Sequence, residues 1–259
     1  MLMGPDEVHR LIEQLQPIRD RAVDDKTAVA ALYPFVDPEH EARITAFSKL
    51  INVLNSLQLS FTFLSKHLLH KPWWDAIGRT PIPDYDKQVY ASEFANFVKV
   101  GFVHAMFSSI ESSFRLFLRA LDPAACNGGM AEFKSIYDCL LRSKLAAEPT
   151  DGINLLDLLR LVRNTIHNNG VYFNPRGADV TLSWQGETFE FRQGAPVDFV
   201  TWEFLIRVSD SLRILLRQVV EDTNLKKIAA MIDDPFSHVD CCITTVCSRH
   251  ASRAAEPNS

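Results

Sequence analysis

Apolar side chains recur at steps of three and four residues along most of this chain, and no other feature constrains its fold as strongly. The clearest run extends over residues 39–70. Its apolar positions are Ile44, Phe47, Ile51, Leu54, Leu57, Phe61, Leu64 and Leu68. Because an α-helix makes one turn in about 3.6 residues, side chains at these steps line one face of a helix. The chain is therefore predicted to be an all-α helical bundle.

The same spacing predicts further helices and the connections between them. The helices cover residues 5–23, 87–121, 130–145, 153–168 and 198–221, with a short piece over 225–232. Residues 71–86 contain three prolines, which interrupt helices, and are predicted to be a loop. This loop carries Trp73 and Trp74, which we expect to form a hydrophobic plug over the long helices rather than to stack on bases.

One segment, at about residues 178–192, has apolar side chains at every second position instead. These side chains are Val180, Leu182, Trp184, Phe189 and Phe191. Alternation of this kind places side chains on opposite faces of a strand. The segment is predicted to be a small β-hairpin, with its turn at Gln185-Gly186, inserted in the helical domain.

The domain organisation follows from the absence of any flexible linker or internal repeat in the sequence. Residues 1–86 are predicted to form an N-terminal helical layer, which either stands apart or belongs to the same domain as the rest. Residues 87–240 are predicted to form the main bundle with its hairpin. Residues 241–259 are predicted to form a tail that is flexible at its end.

Charge and motif content exclude several classes of function. Lys and Arg number 27 against 32 Asp and Glu, so the formal net charge is −5 and any polyanion has to be held at a local site. The chain has no glycine-rich phosphate loop, no Gly-x-Ser-x-Gly and no His-Glu-x-x-His. P-loop enzymes, α/β-hydrolases and zincins are therefore excluded. We expect no cofactor and no metal.

The five cysteines point to a reducing compartment, because their number is odd and too small for a disulfide scaffold. Cys241, Cys242 and Cys247 crowd the C-terminal tail at spacings that match no strong zinc pattern, and their role stays open. The N-terminal residues lack the apolar stretch of a signal peptide, and no apolar run is long enough to cross a membrane. We expect a cytoplasmic protein without membrane contact.

Four polar side chains share one flank of the helix predicted over 153–168: Arg160, Arg163, Asn164 and His167. With Leu155 at zero, they lie at roughly 80–180° on a helical wheel, beside the apolar stripe. Arg163 and His167 are one turn apart and can address the same ligand. Arginine grips a phosphate with two donors, and imidazole exchanges protons near neutral pH. This flank, with Asn168 directly after it, is the candidate site.

The helix predicted over 87–121 offers a second wall for this site. His104, Ser108, Glu111 and Arg115 form a polar line along it at steps of four, three and four residues. A buried guanidinium needs a carboxylate, so Glu111 is predicted to contact Arg163 or Arg160. The alternative is an ion pair between Glu111 and Arg115 on the surface of their own helix.

The segment Arg-Asn-Thr-Ile-His-Asn-Asn-Gly at 163–170 resembles the signature of the higher eukaryotes and prokaryotes nucleotide-binding (HEPN) superfamily. That signature is an arginine, usually followed by a polar residue, with a histidine after four to six intervening residues. Here three residues separate Arg163 from His167, and six separate Arg160 from His167. Arg163 matches the polar neighbour and Arg160 matches the spacing. The resemblance covers residues 87–221.

The resemblance implies a homodimer in which the motif helices of two copies face each other. Many HEPN proteins are metal-independent endoribonucleases, and some take part in defence or in toxin–antitoxin pairs. An activity of this kind would use Arg163, Asn164 and His167 as catalytic residues and Arg160, Asn168 and Glu111 as binding residues. RNA or an antitoxin protein would be the partner. The alternative is a non-catalytic helical interaction module that binds a protein partner, a nucleotide or RNA.

Overall fold

A computed structural model describes residues 3–78, 81–125 and 132–238 of the chain. These residues form eight α-helices: α1 (Pro5–Leu32), α2 (Ala42–Phe63), α3 (Lys71–Ile77), α4 (Asp84–Leu121), α5 (Phe133–Asp138), α6 (Thr150–Ile166), α7 (Trp202–Val220) and α8 (Thr223–Lys226). The two strands are β1 (Val180–Trp184) and β2 (Glu187–Phe191). A mostly helical chain with a small hairpin between α6 and α7 is therefore confirmed. The cysteine-rich tail lies outside the described residues.

The helices α1 and α2 pack against each other along most of their length. All eight apolar positions predicted for the α2 region are buried. The regular part of α2 ends at Phe63, and one π-helical turn, Leu64–Leu68, continues it. Helix α1 is nine residues longer than predicted, because Asp25 and Val29 in its second half are buried. Asp25 accepts hydrogen bonds from Arg213 and Arg217 of α7, which compensates for its charge.

The segment 71–86 is not the continuous loop that its prolines predicted. Lys71–Ile77 forms α3, in whose first turn Pro72 lies, where a missing N–H costs nothing. Trp74 is buried, donates its indole N–H to the carbonyl of Leu68 at 2.8 Å and stacks on Tyr90. This tryptophan therefore helps to fix α3 between α2 and α4.

The hairpin has the predicted position and turn. Its register pairs Val180 with Phe191 and Trp184 with Glu187. Gln185 and Gly186 both have positive φ angles, of 51° and 77°, which is the geometry of the two-residue turn that matches strand twist. The buried side chains of its inner face are Trp184, Phe189 and Phe191. They pack against Phe199, which precedes α7, and Phe204 in its first turn.

One hydrophobic core runs through the described residues and includes side chains from α1 to α8. Helix α1 packs against α7, and the hydroxyl of Tyr33 donates a hydrogen bond to the carbonyl of Val220 at 3.0 Å. The described residues 3–78 therefore contribute to the same core as the bundle that follows.

A fully buried ion pair joins the beginning of α2 to the C-terminal segment. The Arg43 guanidinium binds both carboxylate oxygens of Glu41, at 2.7 and 2.8 Å. Arg43 also donates to the carbonyls of Ile228 and Ala230, at 2.8 and 3.2 Å. The short piece over 225–232 is therefore helical only up to Lys226, and the guanidinium holds two of the carbonyls that follow.

Asp234 is a second buried acidic anchor of the C-terminal segment. Its carboxylate accepts a hydrogen bond from Thr45 at 2.5 Å and lies 2.8 Å from Lys49 Nζ. Burial raises the pKa of Asp234, but the hydrogen bonds from Lys49 and Thr45 and the Lys49 charge outweigh burial, so the pKa lies below its ordinary value. The ionised form therefore stabilises the folded state.

We expect Asp234→Asn to reduce the dependence of stability on acid. A lowered folded-state pKa adds stability above the unfolded value of about 4, and this stability is lost as the pH falls through the folded value. The wild type should exceed the variant in free energy of unfolding at pH 7, and the difference should shrink towards about pH 3. Urea unfolding at both pH values measures it. A difference that stays constant with pH would contradict the prediction.

Candidate functional site

The candidate site lies on the surface where α4 and α6 pack side by side. The imidazole rings of His104 on α4 and His167 at the end of α6 have centroids 5.9 Å apart. One turn further along α4, the Phe107 ring lies 5.3 Å from the guanidinium carbon of Arg163. The contacts occur in reverse order along the two helices. The helices therefore run antiparallel here and bring both polar flanks together.

Helix α6 is held rigidly because its apolar positions are buried on several sides. Its buried side chains include Leu155, Leu156, Leu158, Leu159, Leu161 and Val162. Arg160 and Arg163 remain half-buried, and Asn164 is exposed. The helix begins three residues before and ends two residues before the predicted bounds of 153–168. Asn169 and Gly170 after it have positive φ angles, and the Gly170 N–H donates to Thr165 O at 2.9 Å. His167 caps this end, and its side chain is exposed.

A cavity of about 510 Å³ opens between α4, α5 and α6. Four cationic side chains line it, together with Asn164, two phenylalanines and two carboxylates. The cations are Arg115, Lys134, Arg160 and Arg163, and the carboxylates are Glu111 and Glu132. The cations outnumber the carboxylates although the whole chain is acidic. The lining of the cavity therefore carries more positive than negative charge.

Arg163 differs from the other cations of this wall in its lack of an ion pair with a described carboxylate. Its Nε atom is buried without a hydrogen-bond partner, and none of the described carboxylates forms an ion pair with it. Arg160 and Arg207 also have a buried Nε without a partner. Arg160, however, pairs with Asp157, and the other nitrogens of Arg207 bind Glu187 at 2.5 and 2.7 Å. A buried donor without an acceptor calls for one from outside the chain, such as water or an anion.

Asp157 holds Arg160 in place. The Asp157 carboxylate lies 3.6 Å from Arg160 Nη2, and it accepts a hydrogen bond from the Tyr137 hydroxyl at 2.6 Å. Lys134 reaches the same carboxylate at 3.2 Å. Burial and the bond to Asp157 raise the pKa of Tyr137 above its ordinary value, so Tyr137 stays a neutral donor. The pairing of Asp157 with Arg160 was missed, although their spacing of three residues was a signal for it.

Glu111 lies in the cavity wall, but its carboxylate pairs with Arg115. The distances from Glu111 Oε1 to Arg115 Nε and Nη2 are 3.1 and 2.5 Å. This is the ion pair within one helix that the sequence left open, and the contact with Arg160 or Arg163 is not formed. Arg160 takes Asp157 as its carboxylate because the two residues lie on one helix, so no distant side chain has to be ordered.

The remaining candidate residues lie at the open end of the site. Asn164 is exposed and also lines the cavity, while Asn168 is exposed and its amide lies 3.5 Å from the carbonyl of Asn164. His167 contacts His104 beside the cavity and is not part of its wall. The structure thus brings Arg160, Arg163 and Asn164 together at the cavity and pairs His167 with a histidine of another helix.

Comparison with known proteins found no family model, no curated protein and no solved structure that matches this chain. Among the described residues, no group of three or more His, Cys, Asp and Glu side chains is arranged to hold a metal ion. In the same part of the chain, no helix is both long and apolar enough to span a membrane.

Proposed function

We propose that the groove between α4 and α6 binds the phosphodiester backbone of RNA and that the protein is a HEPN-like, metal-independent endoribonuclease. One observation carries this proposal: the guanidinium of Arg163 has no carboxylate partner among the described residues and lies one helical turn from His167. The other cations of the cavity wall add to the attraction for a phosphate. The buried apolar side chains of α6 fix the helix in place, so the guanidinium of Arg163 is positioned before a ligand binds.

The proposed reaction is attack of a ribose 2′-hydroxyl on the adjacent phosphorus. The 2′-oxygen forms a bond to phosphorus, the bond to the 5′-oxygen breaks, and His167 transfers a proton. Arg163, with Arg160 beside it, stabilises the negative charge that develops on the phosphoryl oxygens. Asn164 contributes an amide at the cavity edge. The products are a 2′,3′-cyclic phosphate and a 5′-hydroxyl, and the substrate supplies its own nucleophile.

The proposal includes a homodimer in the cytoplasm. The side chains of Asn164, His167 and Asn168 are exposed at the end of α6, which leaves this end open to a second copy. A two-fold axis near α6 would place two sets of these residues in one cleft and double its positive charge. An antitoxin protein could cover the same surface.

A binding module without catalysis is the second candidate function. It is favoured by the position of His167, which lies beside the cavity and not in its wall. In that case Arg160 and Arg163 would hold a phosphate group of RNA, a nucleotide or a phosphorylated partner without breaking a bond.

We expect the wild type to cleave RNA in EDTA and Arg163→Ala to cleave it about 10²–10³-fold more slowly, because one donor to the developing charge is lost. Single-turnover rates on single-stranded and structured RNA measure this. Arg192→Ala is the matched control, since Arg192 lies on the hairpin and pairs with Glu190. Equal cleavage by wild type and Arg163→Ala contradicts the proposal, and RNA binding without cleavage supports the module.

A further inference from the structure

His104 has no role in the reaction described so far, yet it contacts the histidine on which that reaction depends. It projects half-buried from α4, whereas His167 ends α6, and the two ring planes meet at 72° with centroids 5.9 Å apart. The histidines are 63 positions apart in the chain, so the antiparallel packing of α4 and α6 alone creates the pair. Arg163 lies one turn from His167, and Phe107 one turn from His104.

We infer that His104 is the second proton-transferring group of the site, so that a single chain carries both the general base and the general acid. The inference rests on the proposed ribonuclease activity and deepens it. Cleavage of a phosphodiester by an internal hydroxyl needs one group to accept a proton and another to donate one. Imidazole serves either purpose near neutral pH.

With two imidazoles, every proton that moves in the cleavage step has a donor and an acceptor. One neutral imidazole takes the proton of the 2′-hydroxyl as the bond from the 2′-oxygen to phosphorus forms. The other imidazole, protonated at the start, gives its proton to the 5′-oxygen as the bond from phosphorus to that oxygen breaks. The two rings end with their protonation states exchanged, and solvent restores them. Arg163 remains charged throughout and holds the phosphoryl oxygens.

The positions of Arg163 and the two histidines are consistent with these separate roles in binding phosphate and transferring protons. The guanidinium of Arg163 lies over the Phe107 ring, and the histidine pair continues the same strip of surface by one turn on each helix. A phosphate held by Arg163 would therefore lie about one helical turn from each ring, and proton transfer requires that its oxygens come within hydrogen-bond distance of both. The charged groups nearest along the two helices are Arg163 on α6 and Lys99 and Glu111 on α4. Lys99 donates to the carbonyl of Val200 at 3.2 Å, and Glu111 is paired with Arg115.

The test uses two RNA substrates, one ordinary and one with sulfur in place of the 5′-oxygen at the cleaved bond. A thiolate leaves without being protonated, so it removes the need for the general acid. We expect His104→Ala and His104→Gln each to cleave the ordinary RNA about 10²–10⁴-fold more slowly than wild type. One of His104→Ala and His167→Ala should regain rate on the sulfur substrate, and the other should not. Cleavage of ordinary RNA by His104→Ala at the wild-type rate, or rescue of neither variant, overturns the inference.

A mixing experiment tests whether one chain holds both groups. Equal amounts of His104→Ala and His167→Ala should stay inactive, because neither chain has a complete pair. Recovery of activity in the mixture would show that two copies share the histidines, which overturns the inference and leaves the ribonuclease proposal intact. Unchanged thermal unfolding of His104→Gln excludes loss of folding as the cause of a slow rate.

A binding measurement separates failure of the inference from failure of the proposed function. If the wild type does not cleave RNA, the ribonuclease proposal and the proton-transfer role are both overturned. Titration with uridine 3′-monophosphate, followed by imidazole NMR signals, then decides whether the histidines share a phosphate site. Shifts of both rings in the wild type, lost in Arg163→Ala and kept in Arg192→Ala, support that site. A shift of the His167 ring alone overturns it.

Discussion

Replacing Arg43 with Met is expected to lower the free energy of unfolding by about 3–5 kcal/mol. The side chains of Arg43 and Glu41 are both 0% exposed, so the substitution leaves a buried carboxylate without its cation. It also removes donors from the carbonyls of Ile228 and Ala230, which then lack hydrogen bonds. Urea unfolding at neutral pH, followed by circular dichroism, measures the loss.

Two comparisons test the cause of this loss. The double variant Glu41→Leu/Arg43→Met should recover part of the stability, because no buried charge remains but the two carbonyls still lack donors. Arg192→Ala removes an arginine whose side chain is 71% exposed and should leave the unfolding curve unchanged. A loss below about 1 kcal/mol for Arg43→Met would be typical of an exposed pair and would contradict the burial argument.

Replacing His167 with Ala is expected to slow RNA cleavage about 10²–10⁴-fold, the usual contribution of a positioned proton carrier. The side chain of His167 is exposed at the end of α6, so its removal leaves the core intact. Single-turnover cleavage in EDTA measures the rate. Analysis of the product ends should find a 2′,3′-cyclic phosphate and a 5′-hydroxyl in the wild-type reaction.

The matched control for this prediction is His9→Ala. His9 lies in α1, near the N-terminus, where its side chain is 72% exposed and pairs with Glu13. The His9→Ala variant should cleave RNA at the wild-type rate and unfold like the wild type. Loss of activity in both histidine variants, or in neither, would show that His167 is not the proton carrier.

The helices could be predicted from sequence wherever the apolar period is strong. The eight positions of the α2 region and the hairpin turn at Gln185-Gly186 were predicted correctly, because helix and strand periods are local properties. The second half of α1 was missed, since the acidic Asp25 is buried there only by virtue of two arginines of α7. The sequence did not predict how the segment 225–232 is held, because the Arg43 side chain that binds its carbonyls comes from the beginning of α2.

In the candidate site, too, the features that depend on helical spacing were predictable and the contacts between side chains were not. The shared flank of Arg160, Arg163 and His167 follows from the helical period, so the sequence was sufficient to predict it. The lack of an ion pair at Arg163 was not predicted, because the sequence analysis expects Glu111 to contact Arg163 or Arg160. The pairing of Glu111 with Arg115 depends on a choice between two partners, which the spacing alone left open. The HEPN resemblance, the dimer and the RNA substrate stay predictions.

The order of residues alone was sufficient to predict the relations that depend on separation along one helix, which are the buried stripe of α6 and the polar flank beside it. These relations follow from backbone geometry, which is the same in every α-helix. The contact of His104 with His167 and the cavity between α4, α5 and α6 required the packed molecule. Which helices meet, and in which direction, depends on the burial of the whole apolar surface at once, and no local spacing encodes it.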